Sequence, residues 1–489
     1  FPEKPLLVFI ITIPELWTDP LMTSKFLPSL LLSVLFISSS YALDGDMYDF
    51  FLPNGLKVIL MEKHAAPRVA VGVYYSVGSH DEPDGQKGIT KLVYYMMLEG
   101  TNKFPKSDEK IMSELKAHVW DGVNPDRSYF SIEVPIEKID FALELESDRM
   151  QNVIITDSLL EKTKSKHKSK FDTWRNRNVF DVGFTDIFKQ SMPEGHPYKT
   201  TPWGIKEQID TLSVASCQNY YRTYFAPNNA VLVVVGDFSP EDATTLIYQY
   251  FSPLTTSKNI PGDPDLSLKE MPNKLFNHNI EYSQEPLYFS FSLLSFFLPS
   301  ARNDDVIILE HIVDILERDS DRPGDIFKKY SKNRRLMLRS QVFMNSGLGF
   351  SSFSMFGMNL FRDGSTKKIK RSILKTFEDI GENGIDEKLL NNQIKHNLLE
   401  SYEDGYNFIW LAYQLGKSEL IYGDYRVYNR SMEILNNLSN ADIKRVVKKY
   451  LHEDNLVIYE LTANKKTWST PIASFIANQI VFRFWDPMH

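Results

Sequence analysis

Cysteine and basic residues are the two classes that this sequence has in short supply. Cys217 is the only cysteine among 489 residues, so neither an intramolecular disulfide nor a thiolate cluster for a metal ion can form. The formal net charge is −8, whereas proteins that bind nucleic acids carry a basic surplus that neutralises phosphates. We therefore expect no nucleic-acid partner. With 43% hydrophobic and 24% charged residues the chain has the balance of a folded protein, and its length suits two or three domains.

Long apolar runs are missing beyond the N-terminal region, so no segment after residue 42 predicts a membrane span. From Met22 the sequence has the pattern of a cleavable signal peptide: a positive residue, an apolar run at 30–37, and a small-residue cleavage pattern ending at Ala42. The apolar run is shorter than the roughly 20 residues of a membrane span, which favours a removed signal over an anchor. We expect an exported protein, periplasmic or secreted, whose mature chain begins near Leu43 without a transmembrane anchor. We interpret residues 1–21 as upstream sequence or an artefact of the gene model.

Alternating strand and helix patterns in the first half predict an α+β fold. A turn at 53–55 leads into the apolar strand of "LKVILMEK", and "RVAVGVYYSVGS" repeats the strand pattern, so we expect these two strands to pair. The spacing of apolar residues then predicts a helix over 88–100 with one buried stripe, made of Ile89, Leu92, Val93 and Met96. Similar patterns predict a strand at 127–135, a helix at 136–152, and a strand followed by a helix within 228–251.

The same order of patterns restarts after a break at 252–276, which is rich in Pro, Ser, Lys and Asp and is the best candidate for a linker. Beyond it follow a strand, a helix at 303–319, two more strands, long helices between Ser365 and Leu451, and a closing strand. This repetition suggests an internal duplication. We predict 1–21 as upstream sequence, 22–42 as signal peptide, 43–255 as N-terminal domain, 256–276 as linker, 277–464 as C-terminal domain, and 465–489 as tail.

Six stretches follow one another in the order found in one known family. They are "NGLKVILMEKHAAPRVAVGVYYSVGSHDEPDGQKGIT", "MLEGTNKFPK", "FALELESDRMQN", "HPYKTTPWGIKEQIDTL", "YYRTYFAPNNAVLVVVGDFSPEDA" and "NLSNADIKRVVKKYLHEDNLVIYEL". Through them most of residues 50–461 resembles the pitrilysin/insulinase family of zinc peptidases, which includes the mitochondrial processing peptidase and bacterial relatives. The resemblance implies two homologous α+β domains, each an antiparallel sheet with helices packed on one face, that close like a clam into a chamber for an unfolded peptide.

The resemblance also implies that chemistry would lie on the helix at 88–100, where the family carries an HxxEH motif. In that motif two histidines on one helix face bind Zn²⁺, and the glutamate acts as general base on the metal-bound water. When the flanking glycines are aligned, the first histidine falls on Lys91, the glutamate on Tyr94 and the second histidine on Tyr95. All three chemical groups of the motif are therefore absent.

None of these three residues replaces what is lost. A lysine ammonium has no free lone pair at neutral pH and brings a positive charge to the place of a dication, while a neutral phenol is a poor ligand and does not deprotonate water as a carboxylate does. The family's third ligand, a glutamate, falls on Lys170, or on Asp172 if the alignment slips by two residues, and Asp172 alone would not hold zinc. No two of the ten histidines stand four residues apart. We predict no catalytic residue, no metal ligand and no cofactor, although the family uses zinc.

Two further working parts of the family are altered. The family presents an edge strand, usually with an Asn-Ala pair, that hydrogen-bonds the substrate backbone, and these two positions fall on Trp120 and Asp121. In the second domain an arginine and a tyrosine usually contact the substrate near the scissile bond. Their positions fall on Ser331 and Leu338, so this pair is predicted to be lost as well.

Three local features have both a structural and a functional interpretation. The five lysines between Lys162 and Lys170 are expected to form a solvated helix face, the alternative being a site for an anionic partner or lipid headgroups. The run at 94–97, "YYMM", is expected to fill core space rather than bind a ligand. His396 and Glu400 are expected to be a solvated pair one helical turn apart rather than metal ligands.

Retention of the family pattern beside loss of every zinc group leads to our main hypothesis. In this hypothesis the chain is a non-catalytic pseudopeptidase that pairs with an active zinc-peptidase paralogue, or with a second copy of itself, and helps to bind or enclose unfolded peptides. The alternative is a structural or assembly subunit that binds no peptide. A third, less favoured, hypothesis is an active zinc metalloendopeptidase whose site has moved.

Overall fold

The fold is described from a computed structural model. The structure describes residues 46–105, 108–177, 192–262, 264–267, 276–277, 290–317, 337–359 and 365–461, all of which belong to one compact unit, Asp44–His489. The N-terminal half contains β1 (Asp46–Phe51), β2 (Lys57–Glu62), β3 (Arg68–Tyr75), α1 (Ile89–Met97), α2 (Asp108–Leu115), β4 (His118–Val123), β5 (Ser128–Pro135), α3 (Ile139–Gln151), α4 (Asp157–Arg177), α5 (Lys206–Thr211), α6 (Val214–Tyr224), β6 (Ala230–Gly236) and α7 (Pro240–Phe251). The C-terminal half contains β7 (Phe276–Asn277), β8 (Ser290–Leu298), α8 (Asp304–Glu317), β9 (Met337–Asn345), β10 (Ser351–Asn359), α9 (Ser365–Asn383), α10 (Glu387–Asp404), α11 (Phe408–Lys417), α12 (Val427–Asn436), α13 (Asn440–Tyr450) and β11 (Leu456–Leu461).

The sheet of the N-terminal half has the strand order β1-β2-β6-β3-β5-β4. All neighbours are antiparallel except β2 and β6, which are parallel. The expectation that β2 and β3 pair with each other is wrong, because β6 lies between them. Every residue of β6 is buried, and a strand that is apolar on both faces belongs in the middle of a sheet. Strand β1 was not predicted, since its sequence, DMYDFF, has no regular alternation of apolar and polar residues and it forms an edge.

Helices cover one face of this sheet and form the main core of the N-terminal half. Alternate residues of β3, namely Val69, Val71, Val73 and Tyr75, are fully buried in that core. The stripe predicted on α1, made of Ile89, Leu92, Val93 and Met96, is fully buried in the same core. The prediction of helices on one face of a sheet is confirmed for this half.

The C-terminal half repeats this architecture around the sheet β7-β11-β8-β10-β9. Its parallel pair is β7 with β11, and its other neighbours are antiparallel. The order matches β2-β6-β3-β5-β4, including the place of the parallel pair, and α8 follows β8 as α1 follows β3. The second core holds residues from α8, α9 and α13, among them Leu309, Phe377 and Val446. The two homologous α+β domains predicted from the sequence are confirmed.

Helix α11 of the C-terminal half packs on the opposite face of the N-terminal sheet, against β3, β5 and β6. Leu411, Ala412 and Leu415 are buried there, and a Cβ added to Gly416 would lie 2.3 Å from the Tyr74 ring. Glu133 of β5 accepts the backbone N–H of Ile409 at 3.2 Å. This second covered face was not predicted, because α11 lies almost three hundred residues from β5 in the sequence.

A cavity of about 470 Å³ opens between the two halves. Its wall includes Asp126 and Arg127 of the N-terminal half and Phe297 and Ser354 of the C-terminal sheet. The clam-like chamber therefore has both halves in its walls, as expected. None of the helices in the described part of the chain combines the length and the apolar composition that a membrane span requires. The predicted boundaries of signal peptide, linker, domains and tail stay predictions.

Candidate functional site: the helix at the zinc-motif positions

Helix α1 begins at a glycine held by a buried carboxylate. Gly88 has φ +106°, a conformation that side chains disfavour, and an added Cβ would lie 2.8 Å from Ile209. The Glu82 carboxylate accepts the N–H groups of Gly88 at 2.8 Å and Thr90 at 3.1 Å, which would otherwise lack partners at the helix start. Burial raises the pKa of Glu82 to about 7. Gly88 and Glu82, which lie outside the motif positions, therefore fix the start of the helix that corresponds to the family's active helix.

Lys91, at the position of the first histidine, places its ammonium against an aromatic ring. Its Nζ lies 3.8 Å from the ring centroid of Trp203, close enough for a cation–π contact. Burial, followed by repulsion from the Lys170 ammonium, lowers the pKa of Lys91 to about 8. No carboxylate lies within ion-pair distance of Lys91 in the described part of the chain. A cation therefore stands where the family holds a metal ligand.

Tyr94, at the position of the general base, is buried and donates its phenol proton. Its hydroxyl donates to a carboxylate oxygen of Asp121 on β4, and its ring lies 5.4 Å from that of Phe130. Burial and then the negative charge of Asp121 raise the pKa of Tyr94 well above its usual value. A phenol that is fixed in the neutral form as a donor does not take a proton from water.

Tyr95, at the position of the second histidine, is only 4% exposed and lies beneath lysine side chains. The Nζ of Lys170, the position of the third ligand, lies 5.0 Å from the ring centroid of Tyr95, and that of Lys166 lies 5.9 Å away. Burial, with a smaller contribution from the charge of Asp121, raises the pKa of Tyr95 to about 12. The structure thus brings Lys91, Tyr94, Tyr95 and Lys170 together, while their assignment to the family's zinc-motif positions stays a prediction.

His167, one helical turn before Lys170, is the nearest imidazole to the cluster. Its ring lies 6.0 Å from that of Tyr95, and its Nε2 donates to the carbonyl of Trp203 at 3.1 Å. Burial lowers the pKa of His167 to about 4, so the ring is neutral. Its Nδ1 has no hydrogen-bond partner among the residues that the structure describes. Asp172, the alternative third ligand, borders a separate cavity of about 280 Å³ beside His167 and Trp203.

The donor set at these positions does not fit zinc. Two phenols and two ammonium groups occupy the four aligned positions, and catalytic zinc needs three imidazole, carboxylate or thiolate ligands. Glu99, at the end of the helix, is held by Lys162 at 2.6 Å and Lys166 at 2.8 Å. Within the described residues no group of three or more His, Cys, Asp or Glu side chains is placed to hold a metal ion. We therefore derive no metal-dependent step for this chain.

The edge strand β4 carries the two altered substrate positions on opposite faces. Asp121 faces α1 and accepts the Tyr94 hydroxyl. Trp120 faces α11, where its ring stacks on Tyr413 at 5.2 Å and on Trp410 at 5.4 Å. Strand β4 ends the sheet order, so its outer backbone edge has no neighbouring strand among the described residues. The edge that the family uses for strand addition is present, while one of its side chains is committed to the contact between the halves.

The other predicted positions have mixed outcomes. Ser331 lies outside the described residues, and Leu338 lies on β9 with only its backbone described, so loss of that pair stays a prediction. The "YYMM" run is buried in the core, as predicted. His396 and Glu400 form an exposed pair at 3.5 Å, also as predicted.

The lysine series on α4 is only partly a solvated face. Lys162 is exposed, Lys166 and Lys168 are half-buried, and all three pair with Glu99 or Asp210. Lys164, however, is 7% exposed, so the expectation is wrong for that residue. Lys164 donates to Glu161 at 3.0 Å and to the carbonyl of Asp210 at 3.3 Å, which satisfies its buried ammonium. Trp203 and Glu82 were not predicted from the sequence, because the contact of Trp203 with Lys91 and the hydrogen bonds of Glu82 to the start of α1 depend on how loops fold back on the helix.

Comparisons with known proteins show the family to which this chain is similar. The model of the family "Insulinase (Peptidase family M16)" matches residues 57–191, and "Peptidase M16 inactive domain" matches residues 211–397. The zinc protease PqqE of Helicobacter pylori is 22% identical over 54% of this chain and 60% of its own length. Subunit 1 of the mitochondrial cytochrome b-c1 complex of Bos taurus is 25% identical over 44% of this chain and 45% of its own length.

Among solved structures, a protease from Helicobacter pylori superposes with a TM-score of 0.74 at 17% identity, covering 86% of this chain and 99% of that one. This likeness concerns the fold. The chain spans less than two thirds of the curated relatives named above. Two family models that together run through most of the described residues, with the same fold in a solved relative, show that this chain belongs to the pitrilysin/insulinase family of peptidases.

Proposed function

We propose that this chain is a non-catalytic subunit of its family, which pairs with an active zinc-metallopeptidase paralogue and helps to bind or enclose peptide substrates. The observation that carries the proposal is the cluster of Lys91, Tyr94, Tyr95 and Lys170 at the four aligned zinc-site positions. Lys91 and Lys170 lie against the Tyr95 ring, and Tyr94 donates its hydroxyl proton to Asp121. A metal site that had merely lost one ligand would leave its other donors in place.

Retention of the peptide-binding architecture supports a role in handling substrates. Strand β4 keeps an open backbone edge, and an extended peptide adds to such an edge through main-chain hydrogen bonds that require no particular side chain. The chamber between the halves is also kept. A partner of the same family would then supply the zinc chemistry, while this chain supplies a wall and a strand. A second copy of this chain is the alternative partner.

A structural or assembly subunit is the second candidate, and the Trp120 stack favours it. Trp120 occupies a substrate-facing position of the family edge strand, yet its ring stacks on Trp410 and Tyr413 of α11. The similarity to a subunit of the cytochrome b-c1 complex provides a family precedent for membership of a larger complex. In this second role the chain would bind no peptide.

We also propose that the protein is exported, to the periplasm of a double-membraned bacterium or to the medium. The support is the signal-peptide pattern at residues 22–42. N-terminal sequencing of protein recovered from the periplasmic or culture fraction tests it. A start near Leu43 is expected, and an uncleaved cytoplasmic chain would contradict the proposal.

The paired-subunit proposal is tested by purifying the tagged chain from the organism that encodes it. We expect stoichiometric co-elution of a family member with an intact HxxEH motif, chelator-sensitive peptidase activity in the eluate, and loss of that activity when this chain is deleted. A complex without peptidase activity would favour the assembly role. Peptidase activity and bound zinc in the partner-free chain would contradict both.

A further inference from the structure

The cluster at the zinc-motif positions has an excess of positive charge. Three ammonium nitrogens, those of Lys91, Lys166 and Lys170, lie within 6.0 Å of the ring centroid of Tyr95. Lys166 is paired with Glu99, which Lys162 also contacts. In the described part of the chain neither Lys91 nor Lys170 has a carboxylate within ion-pair distance. Two ammonium groups therefore face the same ring without a counter-ion.

This arrangement costs free energy as it stands. Lys91 is half-buried and its ammonium has given up much of its hydration, while Lys170 adds like-charge repulsion. The cation–π contacts with Tyr95 and Trp203 offset only part of the cost. An anion between the two ammonium groups would relieve both the repulsion and the lost hydration, because charge-assisted hydrogen bonds are strongest where solvent is restricted.

The surrounding groups fit an anion better than a cation. The nearest carboxylates are already engaged, since Asp121 accepts the Tyr94 hydroxyl and Glu99 accepts two lysines. Tyr95 has no hydrogen-bond partner for its hydroxyl among the described residues, so the phenol is available as a neutral donor. Because Lys170 is exposed, solvent and ligands reach the cluster from its side.

We propose that Lys91 and Lys170 form an anion-binding site at the place of the family's metal, and that it takes a carboxylate from an acidic side chain of a bound peptide. The peptide source rests on the proposed function, because a peptide added to the outer edge of β4 would pass beside Asp121 and Tyr94, next to the cluster. At this place the chain would therefore bind an anion, whereas the family binds a metal cation. The chain selects or retains acidic peptides where its relatives cleave.

The first arm of the test measures the anion site without any peptide. Equilibrium urea unfolding is followed in sodium acetate and in sodium chloride of equal ionic strength, for the wild-type chain and for Lys91→Met, Lys170→Gln and Lys168→Gln. Lys168 is the matched control because it lies on the same helix, carries the same charge and pairs with Asp210. At acetate about ten times its dissociation constant, the unfolding equilibrium of wild type and Lys168→Gln should shift about tenfold. The shift should vanish in Lys91→Met and Lys170→Gln.

The second arm measures peptide binding by fluorescence anisotropy, with a labelled extended peptide that carries one central glutamate and with its glutamine counterpart. Wild type and Lys168→Gln should bind the glutamate peptide roughly tenfold more tightly, as one charge-assisted contact allows. Lys91→Met and Lys170→Gln should bind the two peptides equally. Circular dichroism of each variant confirms that it is folded.

The two arms separate the possible failures. An acetate effect that is unchanged by Lys91→Met and Lys170→Gln, or missing from the wild-type chain, overturns the anion site itself. An acetate effect confined to wild type and Lys168→Gln supports the site. If neither peptide then binds, the peptide source is overturned together with the peptide-binding part of the proposed function.

Discussion

Replacement of Lys91 by methionine should stabilise the protein in a pH-dependent way. The side chain holds its ammonium against Trp203 and beside Lys170, and burial with that repulsion lowers the pKa of Lys91 from 10.5 to about 8. At about 1.4 kcal/mol per pH unit, the charged form costs about 3 kcal/mol in the folded protein. The cation–π contact returns about 1 kcal/mol. We therefore expect Lys91→Met to raise the free energy of unfolding by about 2 kcal/mol at pH 7 in chloride buffer.

The sign of the pH dependence follows from the two protonation states. At pH 7 Lys91 is charged in both the folded and the unfolded chain, so the full cost applies. Between pH 8 and pH 10.5 Lys91 binds more protons in the unfolded chain than in the folded one, so the contribution of Lys91 to the free energy of unfolding of the wild type rises with pH. The advantage of Lys91→Met should shrink across this window and be almost gone near its upper end.

Urea unfolding of both chains at a series of pH values checks this prediction. The difference between the curves isolates Lys91, because the other titrating groups are common to both chains. Lys168→Met serves as the control, since the Lys168 side chain is 42% exposed and pairs with Asp210, and it should change stability by about 0–1 kcal/mol. Parallel profiles for Lys91→Met and wild type, or a destabilised Lys91→Met at pH 7, would refute the reasoning.

Two further predictions concern the contact between the halves. Trp120→Ala removes the stack on Trp410 and Tyr413 and should lower the free energy of unfolding by about 2 kcal/mol, which is less than for a fully buried tryptophan because Trp120 is half-buried. Trp120→Phe should lower the free energy of unfolding by about half as much in the same denaturation assay. Equal losses for the two variants would contradict the stacking account. Gly416→Ala places a Cβ 2.3 Å from the Tyr74 ring and should cost about 1–3 kcal/mol by thermal unfolding. Gly262→Ala, whose added Cβ would have no described residue within 4 Å, should be neutral. Equal melting temperatures for the two variants would show that α11 does not pack this closely on β3.

The sequence predicts the local frame of the site well, because that frame depends on neighbours along the chain. Ile89, Leu92, Val93 and Met96 have helical spacing, and all four are buried. The alignment that placed Lys91, Tyr94, Tyr95 and Lys170 together needed only the spacing of two helices, and the structure brings these side chains into one cluster.

Contacts between distant segments account for what the sequence did not predict. Strand β6 enters the sheet between β2 and β3 although many residues separate it from both, and nothing in the two early strands indicates a third strand between them. The sequence of α11 predicts an amphipathic helix, and only the fold shows that this helix covers the sheet of the N-terminal half. Trp203 lies more than a hundred residues beyond Lys91, so their contact has no local sequence signal.

The sequence also does not show which charged side chains of a helix are buried. Periodicity marks Lys164 and Lys168 as similar members of one series, yet Lys164 is buried with Glu161 and a backbone carbonyl as partners, while Lys168 is only half-buried. Which lysine of a helix is covered depends on what packs over it. Sequence spacing assigns residues to a face of the helix, and tertiary packing decides how that face is used.

Zinc content is the most direct test of the central claim that the zinc-motif positions no longer hold a metal. The purified, partner-free chain is incubated with excess zinc, passed through a desalting column and analysed by inductively coupled plasma mass spectrometry, alongside a family member with an intact HxxEH motif. Two phenols and two ammonium groups at the aligned positions predict zinc far below stoichiometric in this chain and stoichiometric zinc in the control. Stoichiometric zinc that is retained by the wild-type chain would contradict the account.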